Sequence, residues 1–430
     1  MNMKKILLSV LMSGVIFLSG CGSVEKLADV ELPPVPTAEN YITENYAEFS
    51  TETQHQHIII NFEQTRLEAR DPQQGTELIL SFSYETPYVH IPANTAAEEN
   101  INEYIAMLNE SFYTGDDYGV VYDSGCAPGY LNMLTEAEDN YNFITGAGIE
   151  NAAYELANSR SASVQRCDER VLSLRFYDYV NLGGVHGSYA YRAYNFDTVT
   201  GELLALEDLS DDADALKAFL KSYIIERVRE SDELQQQMAG FVDSEGMPSA
   251  EDALSALVRE GSWYMNDYGM LICSDLYELG PYAAGTMEFF VPFTSLDGYV
   301  KSEYIPAAMA ETGSFSVVPA EQMNESSKEI IDMLRLSDDG EALYLVVEGA
   351  VKNVRLAKVD YADRFYETET LWHCSTMNNC VLQLITHVPE GMPELKISYK
   401  DAEGEHVYYL SQSGIDGSFI LVDDGIEAVG

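Results

Sequence analysis

Tyr177 to Leu209 reads YDYVNLGGVHGSYAYRAYNFDTVTGELLALEDL, and the order of strands and turns in it decides the fold. Just upstream, Leu172, Leu174 and Phe176 alternate with Ser173, Arg175 and Tyr177, the two-residue period of a half-buried strand. Gly183, Gly184 and Gly187 then allow a tight turn and the close approach of another backbone, because glycine has no Cβ. A second strand follows from Ser188 to Phe196. Asp197-Thr198-Val199-Thr200-Gly201 reads as a hairpin loop with glycine where a positive φ is needed, and Leu203, Leu204 and Leu206 as a returning strand.

Working upstream, a hairpin is expected from Tyr154 to Val180, turning near Cys167-Asp168-Glu169-Arg170. Before it, Gly115 to Pro128 is loop-like. Thr95 and Glu98 suggest a capping box for a helix whose apolar stripe is Ile101, Ile105, Leu108 and Phe112. Ile58 to Val89 reads as strands broken by Asp71-Pro72 and Gly75. Downstream, Ser210, Asp211 and Asp212 open a helix with Leu216, Phe219, Leu220, Tyr223 and Ile224 on one face, and Arg227 and Arg229 near its end suit the helix dipole. Ser249 and Asp252 open a shorter helix. Trp263 to Met265 and Met270 to Cys273 form a hairpin, and Thr286 to Pro292 a further strand.

The order strand, GG-x-H-G, Tyr-rich strand, N-F-D-x-x-T-G, L-x-D-L resembles the extracytoplasmic PdaC/RsiV-like domain, found in a peptidoglycan deacetylase and in a lysozyme-binding anti-sigma factor. The residues carrying the resemblance are Gly183, Gly184, His186, Gly187, Asn195, Phe196, Asp197, Thr200, Gly201, Leu206, Asp208 and Leu209. A second block, Tyr277-Glu278-Leu279-Gly280-Pro281-Tyr282-Ala283-Ala284-Gly285, is similar to the family's Y-x-I-x-P-Y-A-A-G segment. The resemblance spans about residues 53–300, as an N-terminal part (53–165) and a C-terminal part (166–300) of one module. It implies an extracellular binding module. Neither the deacetylase's catalytic Asp and His motifs nor the anti-sigma factor's cytoplasmic segment has a counterpart in this sequence, so those activities are not implied.

At the start of the chain, Lys4 and Lys5 precede an apolar run from Ile6 to Leu18 that is short for a membrane span and ends in small residues, as a secretory signal does. Leu18-Ser19-Gly20-Cys21 looks like a bacterial lipobox. By that resemblance residues 1–20 are a lipoprotein signal peptide, and Cys21 carries a diacylglycerol that ties the chain to the outer face of a bilayer. The alternative is an ordinary signal peptide in which Cys21 has no role. Residues 21–52 hold Pro33, Pro34, Pro36 and several acids without apolar periodicity, which suits a solvated tether.

The composition is strongly acidic. Removing residues 1–20 takes two of the 24 basic residues and none of the 71 acidic ones, leaving 22 against 71, a formal charge of −49. Such a surface repels nucleic acid and attracts cationic proteins or divalent cations, although acidity also simply keeps an exported protein soluble. The 29 tyrosines offer contact area at low rotamer entropy, with a hydroxyl for hydrogen bonding. From 301 to 430 the chain shows short alternating runs (342–347, 351–359, 381–387, 395–399, 407–410), read as a β-rich, sandwich-like domain of no recognised family. The expected fold class is α+β, an antiparallel sheet with helices on one face, followed by that all-β domain.

Chemistry is less legible. His186 sits beside the glycine-rich turn, with Asp178, Tyr189 and Asp197 nearby in sequence but in no spacing that catalysis requires, so a turn histidine bonded to backbone is expected. His55 and His57 share a face on a strand but lack an evident third ligand, and neither a metal site nor a cofactor is expected. Cys374 and Cys380 are the candidate disulfide, Cys126 with Cys167 a weaker one, and Cys273 reads as a buried thiol. The function expected is that of a lipid-anchored, non-enzymatic envelope binding protein, whose ligand is a cationic protein such as lysozyme or a wall glycan. The alternative is a wall-modifying hydrolase or deacetylase-like enzyme with a site near His186.

Overall fold

Two hairpins and the two helices between them build the first half of the protein. The computed structural model describes residues 57–73, 75–115, 129–147, 155–183, 186–242, 248–306, 311–323, 328–362, 364–388, 392–413 and 418–423, all within the unit Glu44–Gly430. The expected signal peptide, Cys21, the tether, His55, Cys126 and Gly184 lie outside the described residues.

Strands β1 (Ile59–Arg70) and β2 (Leu78–His90) pair antiparallel around a turn closed by Asp71. Its carboxylate accepts from the N–H groups of Gln73, Thr76 and Glu77 at 3.1, 2.7 and 2.9 Å. Helix α1 (Thr95–Thr114) is capped by Asn94, whose side chain accepts from Ala97 N at 3.3 Å, one residue earlier than the expected Thr95 cap. Glu98 reaches back to the end of β2 instead, accepting from Ile91 N at 2.7 Å and bonding His90 Nδ1 at 2.9 Å. Helix α2 (Tyr130–Gly146) was not legible in the sequence, because its buried stripe is only Met133, Ala137 and Tyr141.

Strand β3 (Leu156–Cys167) runs parallel to β2, and β4 (Val171–Asn181) and β5 (Ser188–Asp197) continue the sheet antiparallel. Ile101, Ile105 and Leu108 of α1 pack on Leu172, Leu174, Phe176 and Phe196 on one face. The expected strand at Leu203 to Leu206 reduces to a single bridge, Phe196 to Leu203, because the turn before it is committed to α1. Asn94 Nδ2 donates to Val199 O at 2.7 Å and Asn100 Nδ2 to Thr200 O at 2.9 Å. Gly201, at φ 73°, lies so close that a Cβ would stand 2.5 Å from Ala97 O. Asp197 fixes this turn by accepting from Val199 N at 2.8 Å, and pairs with Arg170 at 3.1 Å. Asp197 and Gly201 thus serve docking of the meander onto the helix.

On the opposite face lie α3 (Ala213–Arg229), α4 (Asp232–Met238), α5 (Ala250–Ala256) and a three-stranded antiparallel sheet of β6 (Trp263–Met265), β7 (Gly269–Cys273) and β8 (Glu288–Pro292). Leu216, Leu220 and Ile224 share one core with Trp263, Met265, Met270, Ile272 and Val291. The seam to the large sheet is polar. Asn195 donates to Trp263 O at 3.0 Å, and Ser173 Oγ accepts from Met265 N at 3.1 Å.

The C-terminal region is β-rich: β9 (Gly313–Pro319), β10 (Ile330–Arg335), β11 (Glu341–Tyr361), β12 (Phe365–Asn378), β13 (Val381–Thr386), β14 (Leu395–Asp401), β15 (Gly404–Gln412) and β16 (Phe419–Asp423). Two of the short runs read from the sequence, 342–347 and 351–359, are one strand, β11. Its first half pairs with β9 and β13 and its second with β12 and β14, so it belongs to both layers that enclose Leu343, Leu345, Val351, Val354, Leu356 and Trp372. Strand β12, absent from the sequence reading, hydrogen-bonds to β1 in the register Ile59–Cys374, Ile60–His373 and Asn61–Trp372. The first strand and the C-terminal β-rich region thereby share one sheet. The fold is α+β.

The disulfide expected between Cys374 and Cys380 is not formed; both thiols are free and buried, as are Cys167 and Cys273. The run Cys374 to Asn378 belongs to β12, and a strand advances roughly 3.3 Å per residue, so most of the loop that the bond would close is held open.

Candidate functional site

The outward face of β4 and β5 carries an unbroken group of aromatic rings. In the antiparallel register Tyr177 stands opposite Tyr191 and Tyr179 opposite Tyr189, and alternation sends all four to the same side. Ring centroids lie 5.2 Å apart for Tyr177 and Tyr191, 5.7 Å for Tyr177 and Tyr189, and 6.0 Å for Tyr189 and Tyr191. On the inward face between them, Asp178 is buried against Arg160, with both carboxylate oxygens bonded at 2.7 Å. One strand therefore faces a packed ion pair on one side and a tyrosine surface on the other.

The glycine-rich turn feeds into this surface. A Cβ on Gly187 would stand 2.5 Å from the Tyr179 ring, so only glycine leaves that tyrosine its place. His186 bonds the Gly187 carbonyl through Nδ1 at 3.0 Å, as expected of a turn histidine. The same carbonyl accepts from the hydroxyl of Tyr282 at 3.0 Å, and the rings of His186 and Tyr282 stack at 3.8 Å and 25°. Tyr282 opens the 3-10 turn Tyr282–Ala284, closed by Gly285 at φ 69°, where a Cβ would stand 3.0 Å from the Tyr189 hydroxyl. Tyr277 completes the group. It holds a left-handed backbone (φ 64°), is 48% exposed, and its ring lies 5.9 Å from that of Tyr282.

Charges border the rings in pairs. The Arg175 guanidinium sits 3.7 Å over Tyr191 and 5.3 Å from Tyr264, and is bonded to Glu288. Arg192 pairs with Asp275 at 3.2 Å, and Arg259 with Asp275 at 3.0 Å and Glu278 at 2.7 Å. Burial, then the neighbouring phenols, push the Tyr177 hydroxyl up to about 12, so it stays a neutral donor at ordinary pH. Burial likewise lifts the Cys273 thiol to about 12, consistent with a core thiol. Among the described residues no three or more His, Cys, Asp or Glu side chains are placed to hold a metal ion.

The two sequence blocks that carry the resemblance thus meet at one place, His186 against Tyr282. Residues 207–294 match DUF3298, a protein family of unknown function. The DUF3298 segment runs from just before α3 through β8 and holds Tyr277 and Tyr282, while His186 and the strand tyrosines precede it. Among solved structures, a DUF3298 family member from Bacteroides fragilis is similar at 17% identity and a TM-score of 0.42, covering 57% of this chain and 94% of that one. A DUF3298 family protein from Pseudomonas aeruginosa is similar at 15% identity and a TM-score of 0.36, covering 58% of this chain and 97% of that one. No curated protein matches.

Of the residues singled out in the sequence, His186 and Gly187 belong to the aromatic face, Gly183 takes the left-handed turn (φ 79°), and Asp197 and Gly201 belong to the turn on α1. Sequence reading missed Tyr177, Tyr179, Tyr189, Tyr191, Tyr277 and Tyr282 as a unit. Counting strand register outward from the glycine turn would have found the first four; nothing local announces the last two as their neighbours.

Proposed function

We propose that this protein is a lipid-anchored, extracytoplasmic lipoprotein that binds a ligand of the cell envelope without transforming it, and that the aromatic face is where the ligand sits. The ligand classes are a cationic protein such as lysozyme, or a wall glycan. The observation that carries this reading is the His186–Tyr282 stack, which brings an exposed imidazole and a half-buried phenol from two distant segments onto one surface. Its imidazole is fixed by a backbone carbonyl and a neighbouring ring, an arrangement that suits a binding platform. The sequence features of the first 21 residues supply the anchor, and the PdaC/RsiV-like resemblance supplies the compartment.

The test is retention of the purified protein on isolated wall sacculi and on immobilised lysozyme, compared with Tyr282→Ala, alongside mass analysis of Cys21. Loss of retention in the variant, with unchanged circular dichroism, is expected. Equal retention would put the ligand elsewhere. Turnover of wall fragments that disappears with His186→Ala would replace this reading with the enzymatic one.

A further inference from the structure

We infer that the aromatic face takes an uncharged saccharide chain, whose sugar rings stack on Tyr277, Tyr282 and His186. This rests on the binding reading above and narrows its ligand. A pyranose ring presents a face of C–H groups with hydroxyls around the rim. An open aromatic face flanked by hydrogen-bonding groups complements that shape, since ring stacking takes the apolar face and the flanking polar groups take the hydroxyls.

Two observations support this assignment. The first is charge. Acids outnumber bases 71 to 24 in the chain, yet the rings are bordered by three arginines (175, 192 and 259) and three carboxylates (Asp275, Glu278 and Glu288) that pair with one another. A surface built to draw in a basic protein would carry unpaired carboxylates, and this one is locally balanced. Those same pairs offer fixed donors and acceptors to hydroxyls.

The second is the backbone of Tyr277, held at φ 64° in a residue that is 48% exposed. A large side chain in that region is strained. Such strain, with the ring turned outward, marks a residue placed for contact with something outside the fold.

Calorimetric titration with β-linked oligomers of N-acetylglucosamine and of glucose tests the inference, on the wild-type protein and on Tyr277→Gly, at low and high salt. Tyr277→Gly removes the ring and relaxes the backbone, so folding is preserved, and Tyr282→Phe serves as a second variant that keeps the stack. The expected result is saccharide binding that is insensitive to salt, weakened about tenfold or more by Tyr277→Gly, which corresponds to about 1.4 kcal/mol, and largely kept by Tyr282→Phe. Salt-sensitive binding of lysozyme that Tyr277→Gly weakens, with no saccharide bound, would overturn the inference and leave the binding face standing. Binding of both ligands that Tyr277→Gly and Tyr282→Ala alike leave unchanged would overturn both.

Discussion

The hydroxyl of Tyr282 and the ring nitrogen of His186 converge on a single acceptor, the carbonyl of Gly187, while their rings stack at 3.8 Å. The glycine turn and the DUF3298 segment are held together there. Tyr282→Phe keeps the stack and loses one hydrogen bond, an expected cost of about 1 kcal/mol in chemical unfolding. Tyr282→Ala removes both and is expected to cost more; equal losses in the two variants would show that the stack contributes nothing.

Tyr277 should be a stability defect that the fold tolerates. Replacing a strained left-handed residue with glycine relieves roughly 1–2 kcal/mol, offset by the greater freedom of glycine in the unfolded chain and a modest ring contact. Tyr277→Gly is expected to melt at or above the wild-type temperature. A clear drop would make the ring a structural one.

The Arg160–Asp178 pair is buried on both sides, with the guanidinium also donating to Leu108 O at 2.9 Å and lying 4.5 Å from the Phe112 ring. Removing one partner strands the other charge. Asp178→Ala is expected to cost about 3–5 kcal/mol in denaturant unfolding, and replacing both residues with apolar ones substantially less. Additive losses would contradict this.

Burial is the main cause that lifts the Glu85 carboxyl to about 7, opposed by the Ala162 N–H that it accepts from at 2.8 Å. Above its ordinary value and below about 7 the folded protein keeps a proton that the unfolded chain has released. Its contribution is therefore fully present below the ordinary range and is lost as pH rises through about 7, by on the order of 3 kcal/mol at most. His373 runs the other way: burial holds its imidazole down at about 3, so stability falls as acid protonates the unfolded chain. Urea unfolding of wild type and Glu85→Gln at mildly acid and mildly alkaline pH separates the two. The difference between the proteins should change with pH, and a constant difference would refute the Glu85 assignment.

Strand β1 has its second partner in β12, so the C-terminal region closes an edge of the first sheet. A chain ended after residue 306 leaves Ile59 to Asn61 without their β12 partners, opens that edge of β1 and uncovers the buried Ile59, and aggregation in size-exclusion chromatography is expected. A monodisperse, folded product would mean that the first sheet stands alone.

Local signals were read well where one stretch of chain fixes its own structure. The helix stripe of α1, the caps Asp212 and Ser249, and the hairpins β3–β4 and β6–β7 follow from periodicity and turn residues. The cap falls on Asn94, one residue before Thr95, because its side chain accepts from Ala97 N, and Glu98 accepts from Ile91 N instead of closing a capping box. Strand β12 went unseen because FYETETLWHCSTMN changes pattern midway, from alternating to buried on both faces, where it enters between β11 and β1.

By itself the sequence determined an α+β protein with a glycine-rich meander, a second block downstream and an acidic, tyrosine-rich composition. Those follow from residue spacing, which acts within a few positions along the chain. Only the tertiary structure decided that Tyr282 meets His186, that β12 completes the edge of β1, and that Cys374 and Cys380 stay apart. Each of these depends on which distant segments share a sheet or a core, and burial energy is indifferent to separation along the chain.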